Sequence, residues 1–299
     1  MATFNGARYI RNQILSLQQQ TYADWNLWVR DDGSTDSTVS IVSGFASRDP
    51  RINLVSDGDS NLGTGANFFR LLKNVKGKYA IFCDQDDIWF EKKLETLVGF
   101  AEKNFDDSRP CLVYTDGHAY SDSEGIIVSR SISHFHARKL EEFLFFNAGY
   151  QGCSILFNHC MVQMADDYQT DFYMHDDIIS LLGHVFGRVF FISKPLMLYR
   201  QHENNVTGSA SKSLLETSRN FFRRNAYVIS RSHYLEKKAF YNHFLSRLNN
   251  HNRRLFEQYL KYPEVPRYKR IFIVLSNGFS IGGFRLPLIM KTVLRRALQ

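Results

Sequence analysis

Short apolar runs alternate with amphipathic stretches over the first 120 residues, and this alternation constrains the fold more than any other feature. Asn26–Arg30, Arg51–Val55 and Tyr79–Cys83 have the composition of strands, whereas Asn67–Val75 has the apolar spacing of a helix. Strands and helices that alternate along a chain form a mostly parallel sheet covered by helices. The sequence therefore predicts an α/β fold for this part of the protein.

Two acidic clusters directly follow predicted strands. Asp31–Asp36 (DDGSTD) comes after the strand that ends at Arg30, and Asp84–Asp87 (DQDD) comes after the strand that ends at Cys83. Ligands of open α/β sheets bind outside the carboxyl ends of the strands, where the loops diverge. We therefore expect both clusters at one edge of the sheet, and this edge is the candidate ligand site.

The carboxylates of Asp84–Asp87 are spaced so that they can converge on one ion when their loop turns. Oxygen ligands of this kind suit Mg²⁺ or Mn²⁺, which in turn bind phosphate oxygens. Aspartate after a strand is also ordinary turn chemistry. The spacing alone therefore leaves a metal site and a plain turn as alternatives.

The chain opens almost directly on Thr3–Gly6 (TFNG), a turn that is followed by a helical pattern. A strand is expected before such a turn in an α/β domain. Either this first strand is reduced to Met1 and Ala2, or its first residues lie upstream of Met1.

The character of the chain changes near Gly208. Ser213–Leu260 is rich in helix-compatible polar and aromatic residues and lacks the alternation of strands. We therefore expect an α/β domain over residues 1–208 and a helical, basic region over residues 209–299. The net charge of the protein is +7, and from Lys261 onward eight basic residues face one acid, Glu264.

The last segment, Phe284–Gln299, mixes apolar and basic residues at helical spacing. A basic amphipathic helix can lie in an anionic membrane interface, where each basic residue is worth about 1 kcal/mol. The alternative is a helix that packs on the rest of the protein. A basic excess at one end, without a recognisable groove-reading motif, argues against nucleic acid as a partner.

No apolar run approaches the roughly 18 residues of a membrane-spanning helix. The first residues lack a secretory signal, and the four unclustered cysteines form neither a disulfide framework nor a zinc motif. We therefore expect a cytoplasmic protein, with peripheral contact to the inner face of the cell membrane as the role of the basic C-terminal segment.

Several motifs together resemble those of family two glycosyltransferases, which have the Rossmann-like GT-A fold. In chain order they are Thr3–Gly6, Asp31–Asp36, Asn61–Gly63, Asp84–Trp89, His175–Asp176 and Tyr199–Gly208. The final motif is similar to that of bacterial rhamnosyltransferase-like members. The resemblance covers about residues 1–208 and implies a GT-A catalytic domain with a helical C-terminal appendage.

The resemblance implies roles for residues of the donor side. Thr3 and Asp32 would contact the nucleotide base, which could be uracil or thymine, and Asp84 would lie near the ribose and the metal. Asp86 would be the direct ligand of Mn²⁺ or Mg²⁺. Asp87 belongs to the same run, but we expect it to cap the helix that follows.

The resemblance also implies donor-side roles for two residues near the end of residues 1–208. His202 would bind the metal or donate to the diphosphate, and Arg200 would bind the diphosphate with its guanidinium. Without the resemblance, a lone histidine in a loop would be interpreted as an ordinary surface residue.

The acceptor side depends on Asp176, which the resemblance assigns as the base that takes the proton of the attacking hydroxyl. Family members commonly carry an aromatic residue after this aspartate, where this chain has Asp177, so Asp177 remains an alternative base. Gln151 and Gly152 lie where the family places an acceptor loop and are candidates for acceptor contacts. The alternative for that loop is a plain start of a strand.

These roles imply an inverting glycosyltransferase in which the cation stabilises the departing nucleoside diphosphate. The resemblance points to L-rhamnose from dTDP-rhamnose as the sugar. It points to a polysaccharide or a lipid-linked saccharide of cell-wall or capsule synthesis as the acceptor. A second hypothesis is an inactive nucleotide-sugar-binding or scaffold protein of the same fold, which would bind nucleotide without transfer.

Overall fold

The computed structural model describes residues 1–146, 149–168, 170, 172–202 and 226–299. The strands are β1 (Ala2–Thr3), β2 (Leu27–Asp31), β3 (Ile52–Val55), β4 (Tyr79–Ile81), β5 (Ile88–Trp89), β6 (Cys111–Ser121), β7 (Ile126–Ser129), β8 (Ile155–Asn158), β9 (Arg188–Gln201), β10 (Tyr227–Ile229) and β11 (Arg296–Leu298). The helices are α1 (Ile10–Gln18), α2 (Thr38–Ala46), α3 (Thr64–Leu72), α4 (Lys93–Asn104), α5 (Leu140–Phe143), α6 (His159–Asp166), α7 (His175–Phe186), α8 (Arg231–Phe244), α9 (Asn250–Lys261), α10 (Arg267–Ser276) and α11 (Arg285–Leu294).

Within these residues the strands form three sheets. The first is parallel, with the order β1-β2-β3, and the second has the order β4-β8-β6-β9-β5 with β7 beside β6. In the second sheet β6 and β9 are parallel, whereas the other pairs are antiparallel. The predicted α/β class is confirmed, and the larger sheet is mixed.

The first strand is short. Ala2 and Thr3 pair with the end of β2, and the amino group of Met1 donates to the carbonyl of Trp28 at 2.6 Å. Burial lowers the pKa of this amino group to about 6. A cavity of about 610 Å³ is lined by residues of both sheets, including Ile81 of β4. Met1, directly before the short first strand, also lines this cavity.

The C-terminal helices share one core with the α/β part. Phe240 of α8 and Phe256 of α9 are fully buried in the same cluster as Ile178 and Leu182 of α7. Burial of such side chains contributes about 1.5–3 kcal/mol each. The predicted helical character of the C-terminal region is confirmed, but the predicted boundary at residue 208 lies outside the described residues.

The last residues differ from the single helix expected over Phe284–Gln299. Helix α11 ends at Leu294, and β11 then pairs in parallel with β10. The expectation was wrong at this end because main-chain hydrogen bonds to a strand about 70 residues earlier compete with the local helical pattern. No helix in the described parts of the chain is long and apolar enough to cross a membrane.

Candidate functional site

Gln85 joins the Thr3–Gly6 turn (TFNG) to its own loop, Asp84–Asp87 (DQDD). Its side-chain amide accepts from the main-chain N–H of Phe4 and donates to the carbonyl of the same residue, each at 3.0 Å. A Cβ atom on Gly6 would lie 2.5 Å from Cδ of Gln85, so the absence of a side chain at Gly6 lets Gln85 approach the turn in its observed position. The TFNG turn therefore contacts the DQDD loop through Gln85 and the Asp31–Asp36 loop through the hydrogen bond from the Asn5 N–H to Ser34 Oγ. The two acidic clusters follow strands of two different sheets, so the expectation of a single sheet edge was wrong.

The two predicted metal ligands are in direct contact. Asp86 Oδ2 lies 2.7 Å from His202 Nε2, although 116 residues separate them in the chain. The ring of Tyr9 stacks on His202 with the ring centroids 4.8 Å apart. A carboxylate oxygen and an imidazole nitrogen at one point are a donor set that Mn²⁺ accepts, so these residues fit a divalent cation.

Arg200 fixes the relative position of β9 and the DQDD loop. Its side-chain Nε donates to the carbonyl oxygen of Asp86 at 2.7 Å, and its main-chain N–H donates to Asp87 Oδ1 at 3.2 Å. Its guanidinium also forms an ion pair with Asp122. Because these contacts engage the buried guanidinium within the protein, diphosphate binding by Arg200 stays a prediction.

Asp87 does not cap the following helix, and that expectation was wrong. Strand β5 begins directly after it, and the N-cap residue of α4 is Lys92. The carboxylate of Asp87 is buried and accepts from Arg200 instead. The local sequence could not reveal this contact, because Arg200 comes from the far end of the α/β region.

Ionisable residues are clustered at the Asp84–Asp87 loop, and they include Cys153 from a distant part of the chain. Ligand atoms of Asp84, Asp87 and Cys153 all lie within 4.8 Å of one another. Burial, together with the charge of Asp86, raises the pKa of Asp84 to about 6. Burial likewise raises the pKa of Asp87 well above its usual range. Carboxylates placed this close favour a positive charge among them.

Lys93 supplies one such charge. It is fully buried, and its Nζ donates to the carbonyl of Cys153 at 2.7 Å and lies 3.8 Å from the centroid of the Trp89 ring. Burial lowers the pKa of this amine to about 8. A buried lysine cannot be recognised from its sequence position, because the pattern of α4 is that of an ordinary amphipathic helix.

Thr3 and Asp32 lie side by side at the ends of β1 and β2. The main-chain N–H of Asp32 donates to the carbonyl of Thr3 at 2.9 Å. The carboxylate oxygens of Asp32 accept from the main-chain N–H groups of Leu62 and Gly63, at 2.9 and 2.8 Å. Both side chains are buried and satisfied within the protein, so contact with a nucleotide base stays a prediction.

Asp176 lies in the first turn of α7 and is buried. Burial, followed by the charges of Asp177 and Asp84, raises the pKa of Asp176 to about 8. A carboxyl group with a pKa near neutrality is suited to general base catalysis.

The predicted acceptor loop packs against the start of α7. A Cβ atom on Gly152 would clash with His175 Nε2 and would lie 3.4 Å from the Cβ of Asp176. The neighbouring Gln151 is half-buried. Gly152 therefore allows close packing of protein on protein beside the proposed base, and the acceptor contacts of both residues stay predictions.

Besides Lys93, three residues of the site were not found by sequence reasoning. Tyr9 stacks on His202, Asp122 pairs with Arg200, and Arg8 donates to the other carboxylate oxygen of Asp122 at 3.0 Å. The Arg8 side chain is 72% exposed, which leaves a cation at the mouth of the site. None of the three belongs to a motif with a recognisable spacing, so the sequence carried no signal for them.

The α/β fold, the acidic loops after strands and the contact between Asp86 and His202 agree with the GT-A glycosyltransferase class that the ordered motifs predict. In agreement with this class, residues 1–171 match the sequence model of Glycosyl transferase family 2. The chain is also 31% identical over 225 residues to dTDP-rhamnosyl transferase RfbG of Shigella flexneri, which covers 70% of this chain and 74% of that protein. The chain belongs to glycosyltransferase family 2.

Solved structures support the fold. The S. aureus TarS 1–349 fragment in complex with UDP-GlcNAc superposes with a TM-score of 0.58 at 17% identity, covering 93% of this chain and 72% of that one. The mannosyltransferase PcManGT of Pyrobaculum calidifontis, in complex with GDP-Man and Mn²⁺, gives a TM-score of 0.51 at 13% identity. That likeness covers 98% of this chain and 84% of the mannosyltransferase.

Proposed function

We propose that this protein transfers a sugar from a nucleoside diphosphate donor to a saccharide hydroxyl, with inversion at the anomeric carbon and with a divalent cation. The contact between Asp86 Oδ2 and His202 Nε2 carries the proposal, because it brings two metal-ligand types together at the carboxyl edge of the sheet. We propose dTDP-L-rhamnose as the donor, on the similarity to RfbG. The proposed acceptor is a polysaccharide or lipid-linked saccharide of cell-wall or capsule synthesis.

The residues divide the reaction between two sides of the sugar. Asp86 and His202 would hold Mn²⁺ or Mg²⁺, which when bound neutralises the charge of the departing diphosphate. Thr3 and Asp32 would face the nucleotide base, and Asp84 would face the ribose. Each of these donor-side residues lies at the carboxyl end of a strand or in the loop that follows it.

Asp176 acts on the acceptor side. It takes the proton of the acceptor hydroxyl as the hydroxyl oxygen bonds to the anomeric carbon and the bond to the diphosphate oxygen breaks. The buried position of Asp176 keeps water away from the proton-accepting carboxylate. Gln151 and Gly152, next to the start of α7, would contact the acceptor.

Asp86→Asn tests the metal site. The change keeps the shape of the side chain but removes a negative ligand, so we expect kcat/KM for transfer to fall about 10²–10³-fold. The measurement is transfer by purified protein from a panel of nucleotide sugars with Mn²⁺ or Mg²⁺, with and without a chelator. Asp107→Asn, at an exposed position in a distant ion pair with Lys78, serves as the matched control.

Two outcomes of this assay would contradict the proposal. Donor turnover that is indifferent both to chelation and to Asp86→Asn would exclude the metal-dependent mechanism. Nucleotide binding by the wild-type protein without transfer to any acceptor would support the inactive binding or scaffold protein instead.

We also propose peripheral contact of the basic C-terminal region with an anionic membrane, with α10 as the contacting helix in place of the predicted segment Phe284–Gln299. Tyr268, Phe272 and Leu275 recur at the spacing of one helix face and are 69%, 70% and 50% exposed. The exposed side chains of Arg267 and Lys269 flank this face. Apolar anchors beside cations are complementary to a surface of anionic lipids, and such a surface would bring a lipid-linked acceptor close to the site.

Sedimentation with vesicles tests this contact. Replacing Tyr268, Phe272 and Leu275 together by serine should weaken binding to vesicles rich in anionic lipid about 10–100-fold, because three apolar anchors are lost. Leu235→Ser, at another exposed apolar position on α8, should leave binding unchanged. Equal binding of wild type and triple variant, or equal binding to neutral and anionic vesicles, would contradict the proposal.

A further inference from the structure

A buried set of charged side chains joins α7 to α8, and the transfer reaction proposed above does not use it. Asp177 of α7 and Glu236, Lys237 and His233 of α8 are all buried. Asp177 Oδ2 lies 3.4 Å from His233 Nε2 and 3.7 Å from Lys237 Nζ. Buried charges are costly unless they are paired, so this arrangement needs an explanation.

Glu236 contacts the main chain that leads into α7. Its Oε2 accepts from the N–H of Tyr173 at 2.6 Å and from the N–H of Met174 at 3.0 Å. Met174 is the N-cap residue of α7, and it offers no side-chain cap. Free N–H groups at the start of a helix need acceptors. Glu236 supplies this acceptor from a position more than 60 residues further along the chain.

The second carboxyl oxygen of Glu236, Oε1, belongs to the same buried set of charged side chains as Asp177. Glu236 Oε1 and both carboxylate oxygens of Asp177 lack a hydrogen-bond donor among the described residues. A proton on Glu236 would bridge the two carboxyl groups and leave one negative charge to balance Lys237. In agreement with this, burial and the charge of Asp177 raise the pKa of Glu236 to about 10.

We infer that Glu236 is a positioning residue for the proposed base. By holding the N–H groups of Tyr173 and Met174, it fixes the direction in which α7 begins. It thereby fixes the place of Asp176, which lies two residues further along. The inference rests on the proposed role of Asp176. Glu236 itself lies in the C-terminal region, beyond the residues 1–171 that match the family model.

Glu236→Gln and Glu236→Leu form a matched pair. Glutamine imitates the protonated carboxyl group, because its oxygen can accept both N–H groups while its amide donates to Asp177. Leucine has a similar volume and can do neither. We expect Glu236→Gln to keep kcat within about threefold and Glu236→Leu to lower kcat about 10–100-fold, since small displacements of a catalytic group are costly. KM for the donor should change little in both variants.

The pH profile of kcat/KM separates positioning from a merely structural role. Loss of folded protein lowers kcat/KM equally at every pH. Displacement of Asp176 changes the midpoint, which is the pH at which kcat/KM reaches half of its maximum. We expect a moved midpoint in Glu236→Leu and the wild-type midpoint in Glu236→Gln. If Glu236→Leu does not fold, Glu236→Asp replaces it, because the shorter carboxyl group cannot reach both N–H groups.

Amide hydrogen exchange at Tyr173 and Met174 provides a readout that needs no turnover. We expect at least about tenfold faster exchange in the leucine or aspartate variant and wild-type exchange in Glu236→Gln. A folded leucine or aspartate variant with wild-type kcat, pH midpoint and exchange would overturn the inference, as would equal impairment of Glu236→Gln. Absence of transfer by the wild-type enzyme would overturn the proposed function and the catalytic part of the inference. The exchange rates would still report whether Glu236 holds α7.

Discussion

Asp176→Asn is expected to lower kcat for sugar transfer about 10³-fold while donor binding changes only a few-fold, because the variant loses the proton acceptor and not the donor site. Asparagine keeps the size of the side chain and can still accept the hydrogen bond from the N–H of Asp177. The measurement is kcat by transfer assay together with the dissociation constant of the donor by calorimetry. A parallel loss of both would place Asp176 in donor binding instead.

The wild-type enzyme should show the titration of this base. Burial and the charges of Asp177 and Asp84 raise the pKa of Asp176 to about 8, and only the ionised carboxylate accepts a proton. In the wild type, kcat/KM should therefore rise with pH through this region and level off above it. A bound divalent cation favours the ionised form, so its presence should move the midpoint to lower pH. The asparagine variant should lack this ascending limb.

The same substitution should stabilise the protein at high pH. The pKa of Asp176 is about 8 in the folded protein and 3.8 as its ordinary value, so between these values the folded state holds a proton that the unfolded state has lost. The free energy of unfolding therefore falls as pH rises toward 8. Asparagine removes this loss, and we expect a gain on the order of 2 kcal/mol above that pH. Urea unfolding at several pH values measures it.

Asp177→Asn is expected to lower stability and to keep activity, whereas Asp176→Asn lowers activity and raises stability at high pH. The expected loss is about 3–5 kcal/mol, because the buried Lys237 loses the carboxylate with which it forms an ion pair. The two side chains are both fully buried, and Oδ2 and Nζ lie 3.7 Å apart. Turnover per folded molecule should remain within a few-fold of wild type. The measurement is urea unfolding combined with a transfer assay normalised to the folded fraction.

A double variant provides the control for this stability prediction. Removing both charges with Asp177→Asn and Lys237→Met should recover part of the loss, since a neutral pair of similar volume avoids the uncompensated charge. A stable but inactive Asp177→Asn would contradict the assignment and make Asp177 the base. The two neighbouring aspartates are thus distinguished by which property each substitution removes.

The α/β class, the first strands and helices and the placement of the acidic loops directly after strands follow from the amino-acid sequence alone. The strands β2, β3 and β4 and the helix α3 were predicted within a few residues. These features can be predicted because each depends on a short stretch of sequence, namely an apolar run of a few residues and the turn residues on either side of it. The ordered motifs then identified the family, which the match over residues 1–171 confirms.

Which charged groups contact one another depends on how distant elements pack. Asp86 contacts His202 across 116 residues of the chain, and Asp87 accepts from Arg200 instead of capping the next helix. Asp177 lies beside Lys237 of α8, although it directly follows Asp176 in the first turn of α7. The physical reason is that local pattern fixes the direction of a strand or helix but not its neighbours. The partner of a buried charge is set by which distant elements pack together, and that packing is a property of the whole fold.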